Sequence, residues 1–368
     1  MVFLKIAIIT LHRVYNYGSA LQAYATQKIF EKNGCEVIVI DYVTEQRTKG
    51  KIFKGTKGKN ISAIKKPFYY LAKAFSILLK ERTFGKFVKN NLNLTKKYIT
   101  AEDLEKDPPI ADIYVTGSDQ TWNSDYNEGV DRGFFLDFLP EQAKRISFVA
   151  SFGKKELDEK EIDTTKKFIN RYSALSVRED SALNILNNLG RNDAIQLIDP
   201  TLQIDKNDWL SIASKRLIKK PYLILMLLYN EDNHATEYAR KIADEKGLEL
   251  VKICWDLNCP PMVDKLMTHR QPSDFLSLFY YADFVVTNSF HGLAFSVNLE
   301  KQFIVVPRNE YNSRIESLLD LLNIKDRMVS SMEDALKISK EQIDYEKIKP
   351  ILIEERKKAE DFIKENIR

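Results

Sequence analysis

The sequence predicts an α/β protein built from two units, each a parallel sheet covered on both faces by helices. Three observations predict it. Short β-branched runs alternate with amphipathic helical stretches along most of the chain, which is the pattern of a doubly covered parallel sheet. At 368 residues the chain is longer than one core usually sustains. The alternation also breaks after Asp199-Pro200, in a polar and basic stretch, and restarts at Tyr222. The expected division is residues 1–203 as an N-terminal domain with a basic helical insertion near 45–100, 204–330 as a C-terminal domain, and 331–368 as a helical tail.

Composition narrows the class. An apolar fraction of 44% with 29% charged residues is ordinary for a globular protein. A net charge of +4 gives no reason to expect a nucleic-acid partner. Cys35, Cys254 and Cys259 form neither an even disulfide framework nor a metal-ligand spacing, so no metal is expected and reduced cysteines fit best. The opening MVFLKIAIITLHR carries Lys5 inside its apolar run and lacks a small-residue cleavage site, so it reads as a first buried strand rather than a signal. No apolar run reaches the roughly 18 residues of a membrane span. The expected location is the cytoplasm, with association at the inner face of the membrane left open.

Taken in order, Leu4–Thr10 and Val37–Ile40 read as strands around a helix, Ser19–Asn33, which Asn33-Gly34 closes with a pair suited to a left-handed cap. The loop between strand and helix, Leu11 to Gly18, lies where open parallel sheets bind ligands. It holds one glycine, so it is no dinucleotide fingerprint. Residues 45–100 hold thirteen Lys and two Arg against two Glu, a local balance of +13. Within them, 61–94 reads as one or two helices, with Phe68, Leu71, Phe75, Leu78 and Leu79 in an apolar stripe opposite Lys66, Lys73 and Lys80. Two outcomes suit this segment: contact with an anionic membrane or polyanionic substrate, or a hairpin packed on its own domain with a solvated basic face.

Three stretches place polar side chains at strand ends. Ile110–Val115 runs into Gly117-Ser118-Asp119-Gln120, where the glycine permits a tight turn and Asp119 is an acid or positioning group, or a cap for the next turn. Leu175–Val177 delivers Arg178, whose guanidinium suits a phosphate or carboxylate, or pairs locally with Glu179 or Asp180. In the second unit, strands are expected at Tyr222–Leu228 and Leu248–Ile253, and helices at His234–Lys246, Pro272–Tyr281 and Ile315–Leu322. Between the last two helices, Phe284 to Val306 reads as strand, turn, helix, strand, with Asn288 or Ser289 as N-cap and His291 in the first helical turn. An anion is favoured there, although a histidine at that point also completes caps and core hydrogen bonds.

Several of these stretches recur together in one family. Tyr15-Asn16-Tyr17-Gly18-Ser19-Ala20-Leu21-Gln22, Gly117-Ser118-Asp119-Gln120-Thr121-Trp122-Asn123, Ser151-Phe152-Gly153, Ser176-Val177-Arg178-Glu179, Asp199-Pro200-Thr201-Leu202 and Thr287-Asn288-Ser289-Phe290-His291-Gly292 stand in order along the chain. In these the chain resembles the polysaccharide pyruvyl transferase family over nearly its whole length. The resemblance implies an α/β fold of two Rossmann-like domains facing a cleft, GT-B-like. It implies transfer of the enolpyruvyl group of phosphoenolpyruvate onto two hydroxyls of a sugar, forming a pyruvate ketal in exopolysaccharide or capsule biosynthesis. It also implies no cofactor beyond that donor substrate, and a sugar or lipid-linked oligosaccharide as acceptor.

By the same resemblance His291 is the catalytic histidine or a phosphate contact, Arg178 clamps the donor, and Asp119 serves acid–base work or acceptor orientation. Substrate-binding places fall to Asn16, Gly18, Ser118, Gln120, Asn288 and Ser289. Family members commonly carry an arginine where Ser289 stands, so Arg308 or Arg314 is the expected replacement. Two other readings remain: a nucleotide-sugar-dependent glycosyltransferase, with acidic ribose contacts near Asn309 or Glu310, and a non-catalytic membrane-associated scaffold built around 61–94, in which His291 and Arg178 are far apart or held in local hydrogen bonds.

Overall fold

The computed structural model describes residues 4–44, 66–228, 234–254, 262–309 and 312–367. The chain divides into two units, Met1–Pro200 with Lys357–Arg368, and Thr201–Arg356.

In the first unit, β1 (Lys5–Ile9), β2 (Glu36–Tyr42), β3 (Leu94–Tyr98), β4 (Ile113–Thr116), β5 (Lys144–Ala150), β6 (Ala174–Val177) and β7 (Ile195–Gln196) form one parallel sheet in the order β3-β2-β1-β4-β5-β6-β7. The order reverses at β1, which lies between β2 and β4. Ile6 to Ile9 are buried without alternation, as a central strand covered on both faces requires. Helix α1 (Tyr17–Lys32) makes the crossover from β1 to β2. It begins two residues earlier than the periodicity predicts, because Asn16 caps it through a hydrogen bond from the Gly18 N–H at 2.8 Å. It ends where predicted: Asn33 is the C-cap and Gly34 sits at φ +80°. A stack of Trp122, Phe135, Phe152 and Tyr172 fills one core, with Trp122 and Phe135 face to face at 5.3 Å.

Two expectations for this unit are corrected. Leu94–Tyr98, read as the end of a helical insertion, is edge strand β3; its Lys96 and Lys97 are exposed, as befits an edge. Ile110 is not in the strand after it: β4 starts at Ile113, and Ile110 is 85% exposed.

The predicted basic helix is present from the first residue described after the gap. Helix α2 (Lys66–Lys80) continues through a π-helical turn, Glu81–Gly85, into Lys86–Asn91. It is anchored by Ile77, Phe84, Phe87 and Val88, which are buried; Phe84 meets Tyr17 at 5.3 Å and Phe87 meets Tyr24 on α1 at 6.3 Å. The stripe behaves differently from the packed-hairpin expectation. Leu71, Phe75 and Leu78 are 70%, 62% and 58% exposed, and Leu79 is half-buried. The side chain of Phe68 lies outside the described residues, as do 45–65.

In the second unit, β8 (Tyr222–Met226), β9 (Glu249–Cys254), β10 (Lys265–Thr268), β11 (Phe284–Thr287) and β12 (Phe303–Val305) form a parallel sheet in the order β10-β9-β8-β11-β12. Helix α3 (Ala235–Lys246) buries Tyr238, Ala239 and Ile242. Helix α4 (Pro272–Tyr281) has the predicted bounds, opening on a proline whose missing N–H costs nothing there. Helix α5 (Phe290–Asn298) follows β11 and is buried throughout. Cys35 is a buried free thiol, and Cys259 lies outside the described residues.

The unit boundary falls after Pro200, not 203, and 331–368 is not a piece of its own. Met332–Lys340 packs against α3. The last helix, α6 (Tyr345–Ile367), is shared: up to Arg356 it belongs to the second unit, where Arg356 donates to the Leu202 carbonyl at 2.7 Å. From Lys357 it belongs to the first, where Phe362 lies 6.4 Å from Phe148.

Candidate active-site residues in each unit

In the first unit the carboxyl ends of β1, β4, β5 and β6 bring together residues from four segments. Asp119 follows β4 and adopts a left-handed backbone, φ +74°, a conformation that non-glycine residues hold only where their surroundings enforce it. Its Oδ2 accepts the Ser19 hydroxyl at 2.5 Å and its Oδ1 accepts the Gln120 N–H at 2.9 Å. The strain thus falls on Asp119 and not on Gly117. Gly117 is needed for close packing instead: a Cβ there would stand 3.1 Å from Thr10 Cβ and 3.2 Å from Ile8 Cγ2.

Arg178 follows β6, with a side chain only 2% exposed among three carboxylates. Its Nη1 donates to Asp199 at 3.0 Å, its Nε stands 3.6 Å from Glu179, and its Nη2 stands 3.8 Å from Asp119. Burial alone lowers its pKa, and the attraction of Asp199, Glu179 and Asp119 outweighs that and leaves it raised. Glu179 is itself held by the Ser151 hydroxyl at 2.6 Å. Arg178 therefore organises acids, and it is held by near neighbours, as the scaffold reading requires of it.

The remaining first-unit candidates line up around this group. Asn16 and Gly18 are bound to each other at the α1 cap. Ser118 is fully buried, its carbonyl accepting from Thr10 Oγ1 at 2.7 Å. Gln120 accepts from the Asn123 amide at 2.8 Å. Beside the loop, His12 Nε2 and Arg13 Nε meet Asp41 Oδ1 at 3.0 and 2.5 Å. Burial works against the Asp41 carboxylate, yet the hydrogen bonds from His12 and Arg13 hold its pKa below the usual carboxylate range.

In the second unit the stretch after β11 is a set of interlocked turns. Asn288 is not the cap; its side chain accepts the Leu228 N–H at 2.6 Å and ties β11 to the end of β8. Ser289 is the N-cap, accepting from Gly292 at 3.4 Å. Thr287 Oγ1 donates to the Met226 carbonyl at 2.8 Å and accepts from the Ser289 N–H at 3.1 Å. A Cβ at Gly292 would stand 2.2 Å from Thr287 Oγ1 and 3.0 Å from its Cβ. Gly292→Ala is therefore expected to cost about 1–3 kcal/mol by overpacking, read by urea denaturation, with a smaller cost when Thr287→Ala is already present.

His291 sits in the first turn of α5, buried, its ring 5.3 Å from that of Phe290. The Arg314 guanidinium lies 5.7 Å from the Phe290 ring centroid, a cation–π distance. Arg308 is fixed by its backbone, which donates to Asn312 Oδ1 at 2.9 Å and accepts from its amide at 2.7 Å. The structure thus brings Ser289, His291 and Arg314 to one helix start, and Ser19, Asp119 and Arg178 to one sheet end. His291 belongs to one unit, and Asp119 and Arg178 to the other. Asn309 is exposed, and Glu310 lies outside the described residues. Among the described residues no group of three His, Cys, Asp or Glu has the geometry to hold a metal ion.

Comparison with known proteins gives the family and the fold. The model of the family described as polysaccharide pyruvyl transferase matches residues 16–310, from the α1 cap to beyond β12. The chain belongs to the polysaccharide pyruvyl transferase family. No curated protein matches it as a whole sequence. Among solved structures it is similar to the UDP-GlcNAc 2-epimerase from Methanocaldococcus jannaschii, at 12% identity and a TM-score of 0.50, over 93% of each chain. It is equally similar to the UDP-N-acetylglucosamine 2-epimerase from Rickettsia bellii, at 12% identity and a TM-score of 0.50, over 100% of this chain and 97% of that one. These likenesses show the fold, two Rossmann-like domains of GT-B-like type.

The residues around Arg178 come from separate motifs of the chain. Sequence reasoning alone does not reach Ser19, Ser151, Glu179 and Asp199 as members of this group. Each stands inside a motif that carries the resemblance, which was the available signal.

Proposed function

We propose that this protein transfers the enolpyruvyl group of phosphoenolpyruvate to two hydroxyls of a sugar, closing a cyclic ketal and releasing phosphate, in the assembly of an exopolysaccharide or capsule. The observation that carries this reading is the family match over residues 16–310, which includes Asp119, Arg178, Ser289 and His291 and ends just before Arg314. In the chemistry proposed, an acid protonates the donor's methylene carbon, one sugar hydroxyl adds to the resulting oxocarbenium-like carbon, and the second displaces phosphate.

The two units suit different parts of that chemistry. Three carboxylates around one guanidinium make the first-unit cluster a poor place for a trianionic donor and a suitable one for sugar hydroxyls. Asp119, bonded to Ser19 and still partly accessible, is the group assigned to take the acceptor's proton. Arg178 is assigned as the positioning residue that holds it. In the second unit the start of α5 offers backbone N–H groups, His291 and the nearby Arg314, a combination that favours phosphate or carboxylate. His291 is the proposed proton donor or phosphate contact, and Arg314 supplies the charge absent at Ser289.

Asp119→Asn is expected to lower kcat by about 10²–10⁴-fold, far more than its lost share of the Arg178 group lowers the folded fraction at assay temperature, and His291→Asn to act similarly. A second reading, transfer from a nucleotide sugar, is favoured by Ser289 in the arginine position and by the likeness of fold to UDP-GlcNAc 2-epimerases. One experiment separates the two. Purified protein is incubated with phosphoenolpyruvate, and separately with UDP-sugars, over free and lipid-linked galactose and N-acetylmannosamine acceptors, and acceptor mass is read with phosphate or UDP release. A ketal product with phosphate supports the first reading. A glycosyl gain with UDP release and no ketal overturns it, and inertness towards every pair would return weight to the scaffold.

A further inference from the structure

We propose that the helical element over 66–91 seats this protein on an anionic lipid surface, with Leu71, Phe75 and Leu78 entering the boundary between headgroups and acyl chains. The proposal does not depend on the reaction above. Tyr70, Leu71, Phe75 and Leu78 are all exposed large apolar side chains, and their spacing of i, i+1, i+5 and i+8 keeps them within one arc of α2. A contiguous apolar face left in water marks an interaction site rather than a core. Ile77 and the downstream Phe84, Phe87 and Val88 are buried against the unit, so the helix is held from one side while the other is presented outward. Among the described residues no helix is long and apolar enough to cross a membrane, so the element lies on a surface.

Charge selects the occupant. Residues 45–100 carry +13, whereas the whole chain carries +4, which leaves the remainder at −9. Arg82, Lys86 and Lys89, in the turns that continue α2, are exposed. An apolar face flanked by a dense block of cations complements a membrane rich in acidic lipid. A second copy of this chain would bring another +13 against it, which opposes self-association through this face. The adjoining 45–65 carries +6 of the same sign, with Glu45 as its one acid.

The test is co-sedimentation of the full chain with vesicles of phosphatidylcholine alone or mixed with phosphatidylglycerol. Binding is expected to be at least about tenfold tighter to the acidic vesicles and to weaken as salt is raised. Replacing Leu71, Phe75 and Leu78 together by Ser is expected to lower it at least about tenfold without lowering the thermal midpoint, because those side chains are exposed. Lys86→Glu with Lys89→Glu is expected to weaken it as well. Equal affinity for neutral and acidic vesicles, undiminished binding by the triple variant, or a loss of thermal stability in that variant would each overturn the proposal. So would a concentration-dependent dimer that the triple variant abolishes in the absence of vesicle binding.

Discussion

Replacing Arg178 with methionine is expected to lower the stability of the first unit by about 3–5 kcal/mol, the cost of removing one partner from a buried ionic group. The side chain is 2% exposed and faces Asp199, Glu179 and Asp119, of which Asp199 is fully enclosed. Without the guanidinium these carboxylates lose their shared counter-charge where water cannot replace it. Urea denaturation followed by the fluorescence of Trp122, buried in the same unit, reads the effect. Arg178→Lys, which keeps the charge but not the fork, should recover only part of it. The double variant Arg178→Met with Asp199→Asn should be less unstable than the sum of the single changes, since the two groups form one interaction. A cost below about 1 kcal/mol, the range of exposed pairs, would contradict the view of Arg178 as the hub that holds Asp119.

A comparable loss, about 3 kcal/mol or more, is expected for Arg145→Met, for a different reason. Arg145 is fully buried at the start of β5 and hydrogen-bonds to the carbonyls of Leu136, Leu139, Pro140, Glu141 and Ala143 at 2.8–3.3 Å. Burial, and then the like charge of Arg171, push its pKa down. One side chain satisfies the loop that leads into the strand, and methionine would leave those acceptors facing an apolar group. Hydrogen exchange should show the clearest loss of protection over 136–147, while the second unit stays protected. Uniform loss over both units would show that the two do not unfold separately.

The readable parts of the fold were those with apolar cores. Phe284-Val285-Val286 and Ile6-Ala7-Ile8-Ile9 announce buried parallel strands because both of their faces are covered. Leu94–Tyr98 and Lys265–Thr268 were missed because they are polar edge strands, whose pattern is set by solvent on one side. At the site, the residues were legible one at a time but their partners were not. Asp199 lies twenty-one positions from Arg178 and reaches it only because β6 and the chain after β7 end side by side. Glu179 and Asp199 quench the charge that, alone, made Arg178 look like a donor clamp. Periodicity also recognised the stripe on α2 correctly but could not say which way it faces. The anchoring comes from Ile77, from Phe84 within a π-helical turn that shifts the register, and from Phe87 and Val88 beyond it.

Helix α6 begins in the second unit and ends in the first, so residues 201–356 are topologically an insertion within the other unit. The order of the chain therefore differs from the grouping of its cores. The seven-stranded sheet is made early, yet the side chains that complete its packing, Phe362 against Phe148 among them, arrive only after the five-stranded unit has been synthesised. The core of the first unit is thus completed by residues that follow the whole of the second unit in the chain, and cutting the chain after Arg356 would leave Phe148 without its partner Phe362 while sparing the second unit.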